Sequence, residues 1–207
     1  MTRHIRVHAL LGSAAALTMY VAGGAIAGAR TPLAIETARI TISGNSNIHA
    51  YTASTTTVRV MRAQFGSLEG PDLWANALKP GGVEAFEIAI PAATLTSPRE
   101  GLDKNMHKAL QVKDHSEINF RLLRLEPRSG AAGAFRGIGV LTITGVEREI
   151  ALDITTERKG ATLTVKGEVQ LLMTDFGIKP PTAMLGMLKT DPKVTVTVET
   201  VLTIPMT

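Results

Sequence analysis

In the C-terminal third of the chain, apolar side chains recur at every second position. Ile150, Leu152 and Ile154 alternate with Glu149, Asp153 and Thr155. Leu163, Val165, Val169, Leu171 and Met173 alternate with Thr162, Thr164, Lys166, Glu168 and Gln170. Val194, Val196 and Val198 alternate with Lys193, Thr195, Thr197 and Glu199. A helix would need a period of 3.6; period two with β-branched residues makes a strand with one dry face and one wet face. Thr144-Gly145 and Lys159-Gly160 fall where hairpin turns are needed. Upstream, strands are expected near residues 135–143, 117–125, 83–90, 51–62 and 38–44. The total is about eight, the number at which an antiparallel sheet can close around one small ligand. The fold class is therefore all-β, with barrel and sandwich both open on periodicity alone.

One segment departs from period two. In GLDKNMHKALQV, Leu102, Met106, Ala109 and Leu110 recur at helical spacing, with Lys104, Asn105 and Lys108 on the opposite side. The pattern predicts one short helix near residues 101–113, entered through Ser97 and Pro98 and packed over one end of the sheet. Two loops are long: residues 64–82 around the only tryptophan, Trp74, and residues 175–192, which carry Met184, Leu185, Met187 and Leu188. Long loops on a rigid sheet are where function concentrates. The second loop reads equally as a plug finishing the core or as a lid over a ligand, since Met-rich surfaces serve both.

The first thirty residues follow other rules. Arg3, His4, Arg6 and His8 form a short positive start, and residues 9–26 are small, apolar and uncharged. Small residues at Ala25, Ala27 and Ala29 complete the layout of a secretory signal peptide spanning residues 1–29. An uncleaved anchor is the competing reading, weakened by Gly12, Gly23, Gly24 and Gly28. Either way the body, residues 30–207, is read as one exported domain, periplasmic in location and without a stable membrane span once the signal is cut. Lys and Arg exceed Asp and Glu by 22 to 18, and Arg3 and Arg6 account for half of the excess. No basic stripe remains for nucleic acid, and 4% aromatic residues leave few stacking platforms. There is no cysteine, which excludes disulfides, thiolate metal sites and thiol catalysis.

Catalytic grammar is thin. Outside the leader the histidines are His49, His107 and His115, with no close pair of the kind a zinc site uses, so no metal and no cofactor is expected. In GNSNIH, Ser46 follows a glycine two residues back, but Ile48 stands where a nucleophile elbow needs its second glycine. A turn with side-chain-to-backbone bonds is the simpler reading. Residues 175–177 spell DFG without the partner motifs of a kinase, which suggests a strand end with Gly177 in the turn and Phe176 in the core.

Four segments in fixed order carry a resemblance: SGNSNIH at 43–49, NMHKALQVKDHSEINF at 105–120, LTITGVEREI at 141–150 and TDFGI at 174–178. Together they resemble the YceI-like family of exported lipid- or polyisoprenoid-binding proteins, over residues 36–204. Thr144 replaces the histidine usual before the hairpin glycine, Met173-Thr174 replaces Arg-Ser, and Tyr51 stands in a tryptophan's place. The resemblance implies an eight-stranded, lipocalin-like antiparallel barrel that holds an isoprenoid or other long-chain lipid, without catalysis, in a protein that forms a homodimer. On the dry strand faces the candidate lining residues are Phe86, Ile88, Phe120, Leu141, Ile143, Leu152, Ile154, Val165 and Leu171, with Phe176, Met184 and Met187 as lid candidates. Three functions stay open at this point. The first is a lipid carrier or sequestering protein. The second is a barrel with a filled core that acts through its surface as a partner-binding or envelope-stress module. The third is an enzyme on a lipid-like substrate, which the scarcity of inward polar residues disfavours. Gly137, Gly139 and Gly167 mark either interior space or bends that close the barrel.

Overall fold

The computed structural model describes residues 33–66, 72–183 and 187–204; the expected export segment and Met184 lie outside them. The strands are β1 (Ala34–Ser46), β2 (Ala50–Thr55), β3 (Arg59–Phe65), β4 (Val83–Pro91) and β5 (Glu117–Pro127). They continue as β6 (Ala134–Ile143), β7 (Val146–Lys159), β8 (Thr162–Leu172), β9 (Thr182–Ala183) and β10 (Leu188–Thr203). Neighbours follow the order β2-β1-β10-β8-β7-β6-β5-β4-β3, with the short β9 pairing β10. Every pairing is antiparallel.

This order forces curvature. In a flat sheet the eight intervals between β2 and β3, at about 4.8 Å each, would separate those edges by about 38 Å. Yet only residues 56–58 connect Thr55 to Arg59, a span of at most about 14 Å. The sheet must roll up until its two edges face each other. The seam between them is closed by side chains and a loop. Ser54 exchanges two backbone hydrogen bonds with Thr96, at 2.8 and 3.0 Å. Buried Thr55 accepts from the Thr57 backbone N–H at 3.0 Å and meets Thr94 Oγ1 at 2.7 Å, and Thr94 donates to the Pro91 carbonyl at 2.7 Å.

The expected all-β barrel is therefore present, with more strands than the eight read from periodicity. The run 51–62 breaks at residues 56–58 into β2 and β3, because the chain there passes from one sheet edge to the other. The apolar loop 175–192 contributes β9 and the first residues of β10. The predicted helix is present as α2 (Glu100–Ala109); Arg99 occupies its N-cap position, one residue beyond Pro98. A second helix, α1 (Leu73–Ala77), was not anticipated. Its signal is Asp72, whose side chain accepts from the Ala75 N–H at 2.9 Å, a standard N-cap bond.

Two groups of buried residues sit at opposite ends of the barrel. One gathers Trp74 and Ala77 of α1 with Leu163, Leu202 and Ile204. The other includes Leu95, Leu110, Ile118, Leu171 and Phe176, beside α2. Phe176 is 2% exposed, and Gly177 after it takes the left-handed conformation at φ 69°, as the sequence implied for this strand end.

Candidate ligand cavity and its mouth

Between those two ends the inward side chains do not meet. They enclose a cavity of about 230 Å3. β4 contributes Phe86 and Ile88, β5 Phe120, β7 Leu152 and Ile154, and β8 Val165. β6 adds Leu141 and Ile143, and Leu171 stands at the upper end of β8. Thr156 and Thr200 are the polar side chains in this lining, and both hydroxyls donate within the protein, to the Gly133 carbonyl at 3.1 Å and the Thr37 carbonyl at 2.9 Å. The indole N–H of Trp74, at the cavity floor, donates to the Ala161 carbonyl at 2.8 Å. Among the described residues the interior thus offers a guest apolar contact and no free hydrogen-bond donor.

The glycines divide into two kinds. A Cβ on Gly137 would fall 2.5 Å from Ile154 Cδ1, and one on Gly139 would fall 2.5 Å from the Phe120 ring. Those side chains lie flat over the glycines, against the wall. At Gly167 a Cβ would find nothing nearer than 3.8 Å, so this glycine leaves a recess. The alternative posed by the sequence resolves residue by residue: Gly137 and Gly139 accommodate neighbours, and Gly167 gives space.

Above this apolar chamber lies a second cavity of about 530 Å3, sharing Ile42, Ile118, Ile143, Leu171 and Val196 with the first. One wall is α2, through Leu102, Asn105, Met106 and Ala109, and another is the β1–β2 hairpin. Phe176 lines this mouth. Met187 is 67% exposed and lines neither cavity.

The hairpin supplies the polar side of the mouth. Ser46 Oγ donates to the His49 carbonyl at 2.8 Å and accepts from the His49 N–H at 3.1 Å. Its hydroxyl builds the turn, as the sequence suggested. His49 Nδ1 stands 3.4 Å from Ser46 Oγ, and its Nε2 accepts from Arg99 Nη1 at 2.5 Å. An arginine can only donate, so Nε2 is the acceptor in this contact. A carboxylate, which would orient a catalytic histidine, is replaced here by a cation.

Tyr51 completes the mouth. It pairs across the hairpin with Gly44, and its ring lies where a Cβ on Gly44 would be. The phenolic oxygen is buried with no hydrogen-bond partner among the described residues. Burial raises its pKa above the usual tyrosine value, and the negative charge of Asp191 adds to the shift.

The remaining titratable candidates have structural partners. His107 Nε2 donates to the Leu95 carbonyl at 2.7 Å, tethering α2 to the segment that leads into it from β4, and the His115 ring packs against Gly145. Among the described residues, no three His, Asp or Glu side chains stand close enough to hold a metal ion. Sequence reasoning missed Arg99, Tyr51 and Trp74 as wall residues. The inward residues of β1 were missed too, along with Val196, Val198 and Leu202 of β10, although β10 carried the alternation that could have found them.

An antiparallel sheet curled around an apolar chamber, with a helix beside a partly polar mouth, defines a lipocalin-like barrel. The YceI-like domain family matches residues 34–202, and the chain belongs to that family. Three solved structures share the fold. BcnA of Burkholderia cenocepacia is 13% identical, with a TM-score of 0.62, covering 79% of this chain and 95% of its own. A polyisoprenoid-binding domain from Saccharophagus degradans, implicated in plant cell wall breakdown, is 11% identical at a TM-score of 0.60, covering 84% and 98%. A Campylobacter jejuni YceI protein is 14% identical at a TM-score of 0.54, covering 76% and 82%. No curated protein matches the chain. Among the described residues no helix is long and apolar enough to cross a membrane.

Proposed function

We propose that residues 1–29 direct export, and that residues 30–207 form one periplasmic domain that carries or sequesters a long-chain amphiphilic lipid, an isoprenoid being the leading candidate. The observation that carries this reading is the apolar chamber of about 230 Å3, its polar groups all internally bonded, opening into a larger mouth with a polar wall. The family, and the S. degradans polyisoprenoid-binding domain that shares the fold, support a lipid guest. The mechanism is burial. Each carbon taken from water contributes about 0.8 kcal/mol, so a five-carbon isoprene unit contributes about 3–4 kcal/mol before ordering costs. Binding without turnover fits the Ser46–His49–Arg99 arrangement, in which no carboxylate orients the histidine.

Native mass spectrometry of the exported protein, followed by denaturing extraction, tests this reading. A stoichiometric long-chain lipid is expected, and Gly167→Leu, which fills the recess, is expected to reduce its occupancy. A wild-type protein that emerges empty and stays empty when offered polyprenols and quinones would sink the proposal.

A further inference from the structure

The chamber has no donor to spare, so the polar end of any amphiphile in it must lie at the mouth. There the chemistry is one-sided. Arg99 carries the only fixed charge in the mouth lining, to which Asp, Glu and Lys contribute nothing among the described residues. Its guanidinium has no ion-pair partner among those residues and gives one N–H to His49 Nε2, leaving the rest of its five donors. Tyr51, in the same wall, holds a buried hydroxyl without a partner among the described residues. Burial keeps that phenol protonated, hence a donor, at neutral pH. Asp191, the acid that Tyr51 senses, is not part of the lining, and its Oδ1 accepts from the Lys193 N–H at 2.8 Å.

A cation and an unspent phenol beside an apolar chamber match a head with acceptor oxygens and negative charge. We propose that the mouth is a head-group site for the anionic oxygen head, phosphate or carboxylate, of a long-chain lipid, with Arg99 as counter-ion and Tyr51 as hydrogen-bond donor. The inference rests on the lipid-carrier reading and narrows it to acidic lipids.

The test compares three ligands of equal chain length: a polyprenyl phosphate, the corresponding carboxylate and the neutral polyprenol. Binding is read from the emission of Trp74, the sole tryptophan, which borders the chamber. Wild type should bind at least one of the acids about tenfold or more tighter than the alcohol, as expected for charge-assisted hydrogen bonds. The acid that binds tighter identifies the head. Arg99→Gln should erase most of that preference, and Tyr51→Phe should weaken the acid several-fold. Arg99 is exposed, so its variant should fold, which unaltered unliganded Trp74 emission would verify. Equal affinities for acids and alcohol in wild type, or a preference that survives Arg99→Gln, would overturn the head-group site and leave the carrier reading standing. Failure of all three ligands to bind, in a protein that also emerges empty from extraction and refuses quinones, would overturn both.

Discussion

At the floor of the barrel Trp74 is 5% exposed and its indole N–H is bonded to the Ala161 carbonyl, while at the mouth Tyr51 keeps a buried hydroxyl that bonds to nothing described. The same contrast runs through their surroundings. Below, Asp72 caps α1 and pairs with Arg158, so polar groups are used up in holding that helix in place. Above, the charge on Arg99 faces the His49 ring and has no anion among the described residues. A floor with every group satisfied serves stability. A mouth with donors left over gives up some of that stability, because an unmet buried donor costs about 1–3 kcal/mol, and such sites concentrate where a ligand completes them.

If that division is right, damage to the floor should appear mainly as lost stability. Trp74→Ala removes the largest side chain of the lower cluster and opens the chamber to water. A loss of about 3–5 kcal/mol is expected, read as a lower midpoint in chemical denaturation. A loss below about 1 kcal/mol would mean that α1 is an ornament on a barrel already sealed by its strands.

Thr144 probes the border between the two regimes. It stands at φ 49° in the β6–β7 turn, where a β-branched residue is strained, and its hydroxyl donates to the Phe176 carbonyl at 2.6 Å. It thus ties a mouth residue down by the floor's logic, with a polar group fully spent. Thr144→Val keeps the shape and removes the donor, at an expected cost of about 1–3 kcal/mol. Lipid affinity should fall with it as Phe176 loosens. Unchanged affinity at reduced stability would place Phe176 with the packing core and not with the site.

Period two made the strands of the C-terminal half legible because each has one wet face and one dry face, and alternation is the direct image of that asymmetry. It failed at residues 56–58, where one expected strand is two, since crossing from one sheet edge to the other leaves no mark in hydropathy. The chamber residues Phe86, Phe120, Leu152 and Val165 were readable for the same reason as the strands. Arg99 and Tyr51 were not. Their importance comes from what they lack, an anion and a hydrogen-bond partner, and only the fold decides which partners a side chain has. Gly167 differs from Gly137 and Gly139 only in what lies across the sheet from it, which no single-strand pattern contains.

The smallest expected effect separates floor and mouth by pH. The Asp72 carboxyl is held below the usual carboxylate range, first by the Ala75 N–H and then by Arg158. A depressed folded-state pKa contributes stability that is present above the unfolded value, about 4, and is lost as pH falls through the folded value. Tyr51 runs the other way: burial first, then Asp191, raise its pKa, so its contribution is complete below the unfolded value of about 10 and is lost as pH rises through the folded value. Asp72→Asn retains an N-cap side chain but cannot titrate, so its denaturation midpoint should approach that of wild type in acid and separate from it near neutrality. Tyr51→Phe should leave the acid limb untouched and flatten the alkaline one. Asp72 is well solvated and its share is small, so the two variants are best compared as slopes of midpoint against pH. An alkaline slope that persists in Tyr51→Phe would show that other groups set it and that burial does not hold the phenol above its ordinary pKa, and the contrast between the two ends would lose its upper half.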